Sequence, residues 1–453
     1  MAKITVAFDA WKDGKVARTQ HDVSIVFPKK IDLKLDAVSA RLAKELIHPN
    51  KAGSPTSIRF SPDGKRLIAG DYPGGVVCLW NVETGKREIT IDTGRGHGGF
   101  MPYFFVDSNW VTLFAENAGK RTTENVEKDG VIWRRWEFDG SVKAWSLADG
   151  QLQKTYHHNP KRLVSGIRVS PDGFFFLSFE SLPGLYARQA KGAVSLWDAR
   201  TGKHVALSED IGSGGHFSPN GRLFATTATV KDNRPTSLKM FDTPSAKELW
   251  SIPITEKYIW FNAQEFSQDG SLVLFQGRKE KMDKDQSKIL DHFDLFETAT
   301  ARKIASFAGE EGVWLHGSVS PNPRTLAVTA WRGSDPKVVL FGIPEKRALK
   351  TIVLGKQSKD EFLYVSTQAF SPDSTRLAII AQLLPNTRDD DFNVFDAPQP
   401  RVHLIDIAAG EIRETLVLPQ GFSRDLCFSP DGRTLAVGGH GRVLLFDVSQ
   451  NPR

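Results

Sequence analysis

"FSPDGKRLIAG", residues 60–70, returns as "FSPDGRTLAVGG" at residues 428–439, near the other end of a 453-residue chain. Shorter forms recur between the two: VSPDG at 169–173, FSPNG at 217–221, FSQDG at 266–270, VSPNP at 319–323 and FSPDS at 370–374. A worn copy, VDSNW at 106–110, fills the one wide gap and makes eight. The chemistry of the phrase is a turn. Ser bonds the backbone, Pro presets φ, Asp or Asn suits the third place and Gly the fourth, which is a type I β-turn. An apolar residue before it and a short apolar run after it make each copy a hairpin.

Each hairpin has a downstream partner, such as VVCLWNVETGK, AVSLWDARTGK or RVLLFDVSQ. Its large apolar slot is Trp80, Trp145, Trp197, Phe241, Phe296, Phe341, Ile405 and Phe446 in turn. A small residue follows five positions on at Gly85, Gly150, Gly202, Ala246, Ala301 and Gly410, and then another apolar stretch. Each unit therefore reads strand a, tight turn, strand b, loop, strand c, tight turn, strand d. Eight such units predict an all-β chain, an eight-bladed β-propeller of four-stranded antiparallel blades, with seven blades as the alternative. The strands are apolar at consecutive positions, as sheets covered on both faces require.

The segments SLWDARTG at 195–202 and CLWNVETG at 78–85 resemble the WD-repeat β-propeller family, with its Trp-Asp signature and following Thr-Gly. The resemblance runs from about residue 38 to the end. It implies a structural polar network joining a Gly-His before strand a, an Asp in the b–c turn, a hydroxyl on strand b and the Trp of strand c. The second unit matches best, with Gly96-His97, Asp139 and Trp145, but Phe114-Ala115 offers no hydroxyl. Apolar packing between blades is therefore expected to carry the fold.

The last unit ends at strand c, with only residues 449–453 beyond it, while SARLAKELIH at 39–48 has the pattern of a strand d without a blade. Residues 39–47 are expected to complete the last blade, closing the ring and removing two open edges. Residues 1–35 are left over. Ile4, Val6 and Phe8 alternate, KDG at 12–14 signals a turn, and Val23, Ile25 and Phe27 alternate again, which reads as an extra hairpin beside a single propeller spanning 36–453.

In such a meander the a–b and c–d turns share one end, and the b–c loops and d–a crossovers share the other. The first end is uniformly tight. From the strand-b anchor to the strand-c anchor, by contrast, the step runs from 11 residues (Leu435 to Phe446) to 32 (Leu113 to Trp145). Function tends to sit on variable loops held by a rigid scaffold, and WD-repeat propellers commonly bind partners there. The candidate contact residues are Trp133, Arg134, Arg135 and Trp136 in the 117–140 insertion, His157, His158 and Lys161 in one crossover beside Arg162, and Trp331 after a strand b. Trp and Arg are favoured interface residues, although Trp133 and Trp136 serve equally to pin a long loop onto its blade. Trp260 and Trp314 begin inner strands, at the channel mouth or in the core. RKEKMDKDQSK, 278–288, reads as a solvated charged turn. Asp389, Asp390 and Asp391 read as an acidic loop tip, since the order of a dedicated calcium loop is absent.

Composition points the same way. Lys plus Arg number 59 against 53 for Asp plus Glu, with no concentrated basic stripe, which argues against nucleic acid as partner. No apolar run approaches the roughly 20 residues that span a bilayer. The first residues lack the pattern of a signal peptide, so the cytoplasm is the expected compartment. Cys78 and Cys427 fall two strands apart on neighbouring blades, beyond disulfide reach, and are expected to be free and buried. No metal, cofactor or catalytic set is expected. The expectation is a non-enzymatic, monomeric scaffold for a protein or peptide. The alternatives are weak nucleic-acid binding and a small ligand or enzymatic site in the channel. Eight-bladed quinoprotein dehydrogenases share the blade count, and KELW at 247–250 is similar to their Trp-docking repeat, but the copy is single.

Overall fold

A computed structural model describes residues 2–12, 15–25, 41–50, 54–72, 75–93, 104–117, 121–128, 131–138, 141–158, 163–181, 192–208, 211–229, 234–283, 286–309, 313–331, 336–355, 361–385, 399–421 and 425–449. The chain divides into two compact units, Met1–Ala37 and Val38–Arg453. The first holds one antiparallel hairpin, Ala2–Lys12 against Lys15–Ile25, in continuous register from Ala2 opposite Ile25 to Lys12 opposite Lys15.

The second unit is an eight-bladed propeller. Blades 1 to 7 span 54–92, 104–157, 163–208, 211–253, 258–308, 314–353 and 361–417, each an a-b-c-d meander of four antiparallel strands. Blade 8 takes strands a, b and c from 425–447 and its strand d from Leu42–Ile47. Leu42 pairs with Phe446, Glu45 with Leu444 and Ile47 with Arg442. Backbone bonds from Asp447 N to Arg41 O and from His48 N to Gly441 O, with an Arg442–Glu45 ion pair at 2.9 Å, frame this closure.

The recurring turn explains why each blade starts alike. In the first copy the Ser61 hydroxyl donates to Asp63 (2.6 Å) and accepts from Arg66 N, while Asp63 also accepts from Lys65 N. Gly64 takes φ of +70°, which only Gly adopts without strain. In the worn copy Asp107 fills the Ser place, accepting from Val111 N at 2.8 Å, and Trp110 takes the left-handed place at φ +55°. These turns fix register, and the eight predicted b–c anchors face one another directly: Leu67–Trp80, Leu113–Trp145, Phe176–Trp197, Phe224–Phe241, Val273–Phe296, Leu326–Phe341, Leu377–Ile405 and Leu435–Phe446.

The core is a set of eight apolar clusters, and each fills one seam between neighbouring blades. One such cluster holds Leu67, Trp80, Ala436 and Leu445 between blades 1 and 8; the next holds Ile68, Leu79, Leu113 and Trp145 between blades 1 and 2. Successive residues thus serve opposite seams, Leu67 one and Ile68 the other, which is why the strands read as unbroken apolar runs. At the outer edge, strand d of one blade lies against the c–d turn of the next. Lys154 Nζ donates to Arg200 O at 2.9 Å beside Gly202, and Trp250 Nε1 donates to Thr298 O at 2.9 Å. The c–d turn has a left-handed residue in seven blades; the one not expected, in blade 6, is Lys346 at φ +54°.

Both cysteines are free. Cys78 is buried, and burial pushes its thiol up to about 11. Cys427 corrects the expectation of a buried thiol: it is half-buried on the inner-edge strand a, packed against the seam between blades 8 and 1 while its neighbours Leu426 and Phe428 turn into the 7–8 seam.

Candidate functional site

The extra chain projects from the b–c end of the blades. In blade 2, between strand b (Thr112–Asn117) and strand c (Ser141–Ser146), Arg121–Lys128 and Val131–Phe138 form a separate two-stranded hairpin. It carries Trp133 opposite Val126, Arg134 opposite Asn125, Arg135 opposite Glu124 and Trp136 opposite Thr123. In blade 5 strands b and c run to twelve residues each, Leu272–Asp283 and Gln286–Glu297, paired through to Asp283 opposite Gln286. Residues 278–288 are therefore not a loose charged turn. Residues 278–283 and 286–288 continue the sheet beyond the strand-b and strand-c anchors, in a run of charges that leaves no apolar pattern in the sequence. Blade 7 also extends, to Pro385, while Asp389, Asp390 and Asp391 lie outside the described residues.

Two expected contact residues are corrected. Trp331 is buried, packed against Trp314 (ring centroids 5.2 Å apart) and edge-on to Tyr364 (5.1 Å), because the start of the next blade covers it. His158 is also buried, while its neighbour His157 ends strand d of blade 2 exposed. Lys161 and Arg162 lie outside the described residues.

His158 belongs to a closed network. Its Nδ1 lies 3.2 Å from Tyr156 O, a carbonyl that can only accept, so the proton sits there and Nε2 accepts. The Ser178 hydroxyl donates to Nε2 at 2.9 Å and itself accepts from Trp197 Nε1 at 3.0 Å. Glu180 Oε1 lies 3.3 Å from the same Ser178 hydroxyl, a longer second acceptor for it, and accepts from Ser195 at 2.8 Å. Burial lowers the His158 pKa, which keeps the ring neutral as this tautomer requires. The polar network expected of the second blade is thus in the third. It was missed because His157, not Gly, precedes this His, and because the acid stands on strand b. His97 and Asp139 lie outside the described residues.

The loop-rich mouth of the channel is aromatic. Trp260, Trp314 and Tyr364, on the inner strands of blades 5, 6 and 7, lie opposite Arg278, Trp331 and Gln382. The anchors below on strand b are Val273, Leu326 and Leu377, so all three aromatics share one rung. Each is half-buried. The Arg278 guanidinium lies 3.8 Å from the centre of the Trp314 ring and its Nε donates to Asp291 at 2.8 Å. The other Asp291 oxygen accepts from Leu315 N at 2.9 Å.

Toward the tight-turn end another rung rings the channel: Arg59, Phe105, Arg168, His216, Glu265, Ser318, Ala369 and Cys427, one per blade, all with equivalent strand-b partners. Burial, aided by the Arg168 guanidinium, lowers His216 to about 3. Burial raises Glu265 to about 7, although Val319 N donates to it from the next blade. These groups link neighbouring inner strands. His292 meets Asp294 (3.1 Å) and Ser306 (3.3 Å), but through the same Nε2, so no Ser-His-Asp relay forms. No cluster of three metal-ligating side chains occurs among the described residues. No helix among them is long and apolar enough to cross a membrane.

A family model described as "WD domain, G-beta repeat" matches residues 44–81 and 419–447, the stretches that meet at the ring closure. No curated protein matches the chain. Among solved structures it is similar to the Dos1 propeller (TM-score 0.55, 12% identity, 89% of this chain and 95% of that one). It is also similar to a eukaryotic initiation factor (TM-score 0.50, 13% identity, 96% and 89%). These likenesses are of fold. A Kuenenia stuttgartiensis hydrazine synthase aligns at TM-score 0.46 and 16% identity over 88% and 96%, too distant to carry an argument.

Proposed function

We propose, from the premise that this chain is a WD-repeat β-propeller, that it is a non-enzymatic scaffold holding a protein or peptide on its loop-rich face. Propellers of this family are typically interaction scaffolds. The observation that carries the choice of face is the placing of the extra chain: the blade 2 hairpin and the long strands of blades 5 and 7 all project from the b–c end. A hairpin inserted into a closed, well-packed ring adds surface without adding to the seams, and surface held on a rigid frame is what recognition uses. Trp133, Arg134, Arg135 and Trp136 on that hairpin, with the exposed His157 at the edge of the same blade, are the contact residues of this reading. We assign it to the cytoplasm, as a monomer and without cofactor.

The test is affinity capture with crosslinking, comparing the full chain with a variant in which a Gly-Ser turn replaces residues 118–139. A second variant reverses Lys65 and Arg433 on the opposite, tight-turn face. Loss of crosslinked partners only in the first, at unchanged melting temperature, supports the reading. The same partners on the shortened chain contradict it.

A further inference from the structure

The aromatic rung at the channel mouth has a chemistry of its own. Arg278 is fixed before any partner arrives: Asp291 holds its Nε, its guanidinium carbon sits over the Trp314 ring, and Asp291 is itself held by Leu315 N. Its side chain is 26% exposed, and its two terminal nitrogens make no hydrogen bond among the described residues. A planar fork held in this way presents two parallel N–H donors to solvent, the pattern that matches a carboxylate with two oxygens. On the same rung, half-buried Trp260 lies opposite Arg278 on the paired strand, and half-buried Tyr364 continues the row of rings two blades on, beyond Trp314.

We propose that this arc is the anchoring pocket for an extended peptide segment that places a carboxylate, an Asp or Glu side chain or a free C-terminus, on Arg278 and an adjacent apolar side chain on the rings. The proposal rests on the loop-rich face being the contact surface and names the chemistry it takes. A cationic segment meets the Arg278 charge at the centre of the arc. A purely apolar one covers two N–H donors and offers them no acceptor, which is costly. A carboxylate beside an apolar residue satisfies both parts of the site, and a guanidinium already immobilised loses little entropy on binding.

The experiment selects a random twelve-residue peptide library, displayed with free C-termini, on the full-length protein. Enriched peptides are then titrated against the wild type, R278Q, R278K and the chain lacking residues 118–139. R278K keeps the charge and removes the fork, so it stays informative if R278Q folds poorly. The expected result is enrichment of Asp, Glu or a terminal carboxylate within two residues of an apolar side chain. The expected Kd is at least tenfold weaker for R278Q and several-fold weaker for R278K. Neutral or basic consensus peptides, or Kd values within twofold for both Arg278 variants, overturn the proposal. If those peptides still lose affinity on removal of the hairpin, the loop-rich face stands and only the Arg278 anchor falls. No enrichment over a blank surface counts against both.

Discussion

Replacing Ser178 by Ala should destabilise the protein far more than removal of one exposed hydroxyl. Ser178 is fully buried, and its oxygen joins Trp197 Nε1 at 3.0 Å to His158 Nε2 at 2.9 Å. The methyl group leaves an indole N–H and an imidazole nitrogen without partners, in a seam whose side chains exclude water. Each orphaned group costs about 1–3 kcal/mol, so the expected loss is about 3 kcal/mol. Trp197→Phe removes only the indole donor and leaves the Ser178–His158 bond, so about 1 kcal/mol is expected from it, apart from the smaller ring. Once Ser178 is Ala, Trp197→Phe should add little, because the bond it deletes is already broken. Denaturant unfolding of the four proteins, followed by tryptophan fluorescence and by circular dichroism, gives the cycle. A Ser178→Ala loss below about 0.5 kcal/mol, or strictly additive losses, would refute the network.

Gly277→Ala should cost about 3 kcal/mol or prevent folding, because its Cβ would meet Trp260 O at 2.3 Å and Phe261 Cα at 2.8 Å, both on backbone that must shift; thermal melting checks it. Burial lowers His48, His158, His216 (to about 3), His316 (to about 4) and His403, so the folded state holds them neutral while the unfolded chain takes up protons near 6.5. Their contribution is complete above about pH 6.5 and is lost as pH falls, so melting temperature should drop steadily from about pH 6.5 to 4. Glu265 has the opposite sign: raised to about 7, it favours the fold at low pH and loses that contribution as pH rises through 7. Glu265→Gln should therefore stabilise the protein at about pH 8, by about 1 kcal/mol after allowance for its half-exposed place, and not at about pH 5.

The blade count, the strand order and the eight anchor pairs could be read from the residues, because tight turns of fixed length leave a strand one register in which to bury both faces. Lys346 escaped notice since nothing in a lysine advertises a left-handed turn; its place became visible only through the other six blades. The blade 3 network escaped because chain spacing does not show that His158, Ser178 and Trp197 converge. The rung of Trp260, Trp314 and Tyr364 was half visible as aromatics at the start of inner strands. Bulges between Tyr258 and Trp260 and between Val365 and Thr367 displace the count, so their common level emerges only from the pairing. Trp331 looked exposed because it ends a strand, and a neighbouring blade covers it.

The assignment of faces depends on Leu42–Ile47 serving as the outer strand of the last blade. Ile47, exposed on that strand, lies directly opposite Arg442, within the Cα separation a disulfide spans. A double variant, Ile47→Cys with Arg442→Cys, is oxidised and mapped by mass spectrometry. It should yield a crosslinked peptide joining positions 47 and 442 within monomeric protein, and should melt well above its reduced form. Free thiols at both positions, or a crosslink found only between molecules, would mean that the two ends of the chain do not share a sheet.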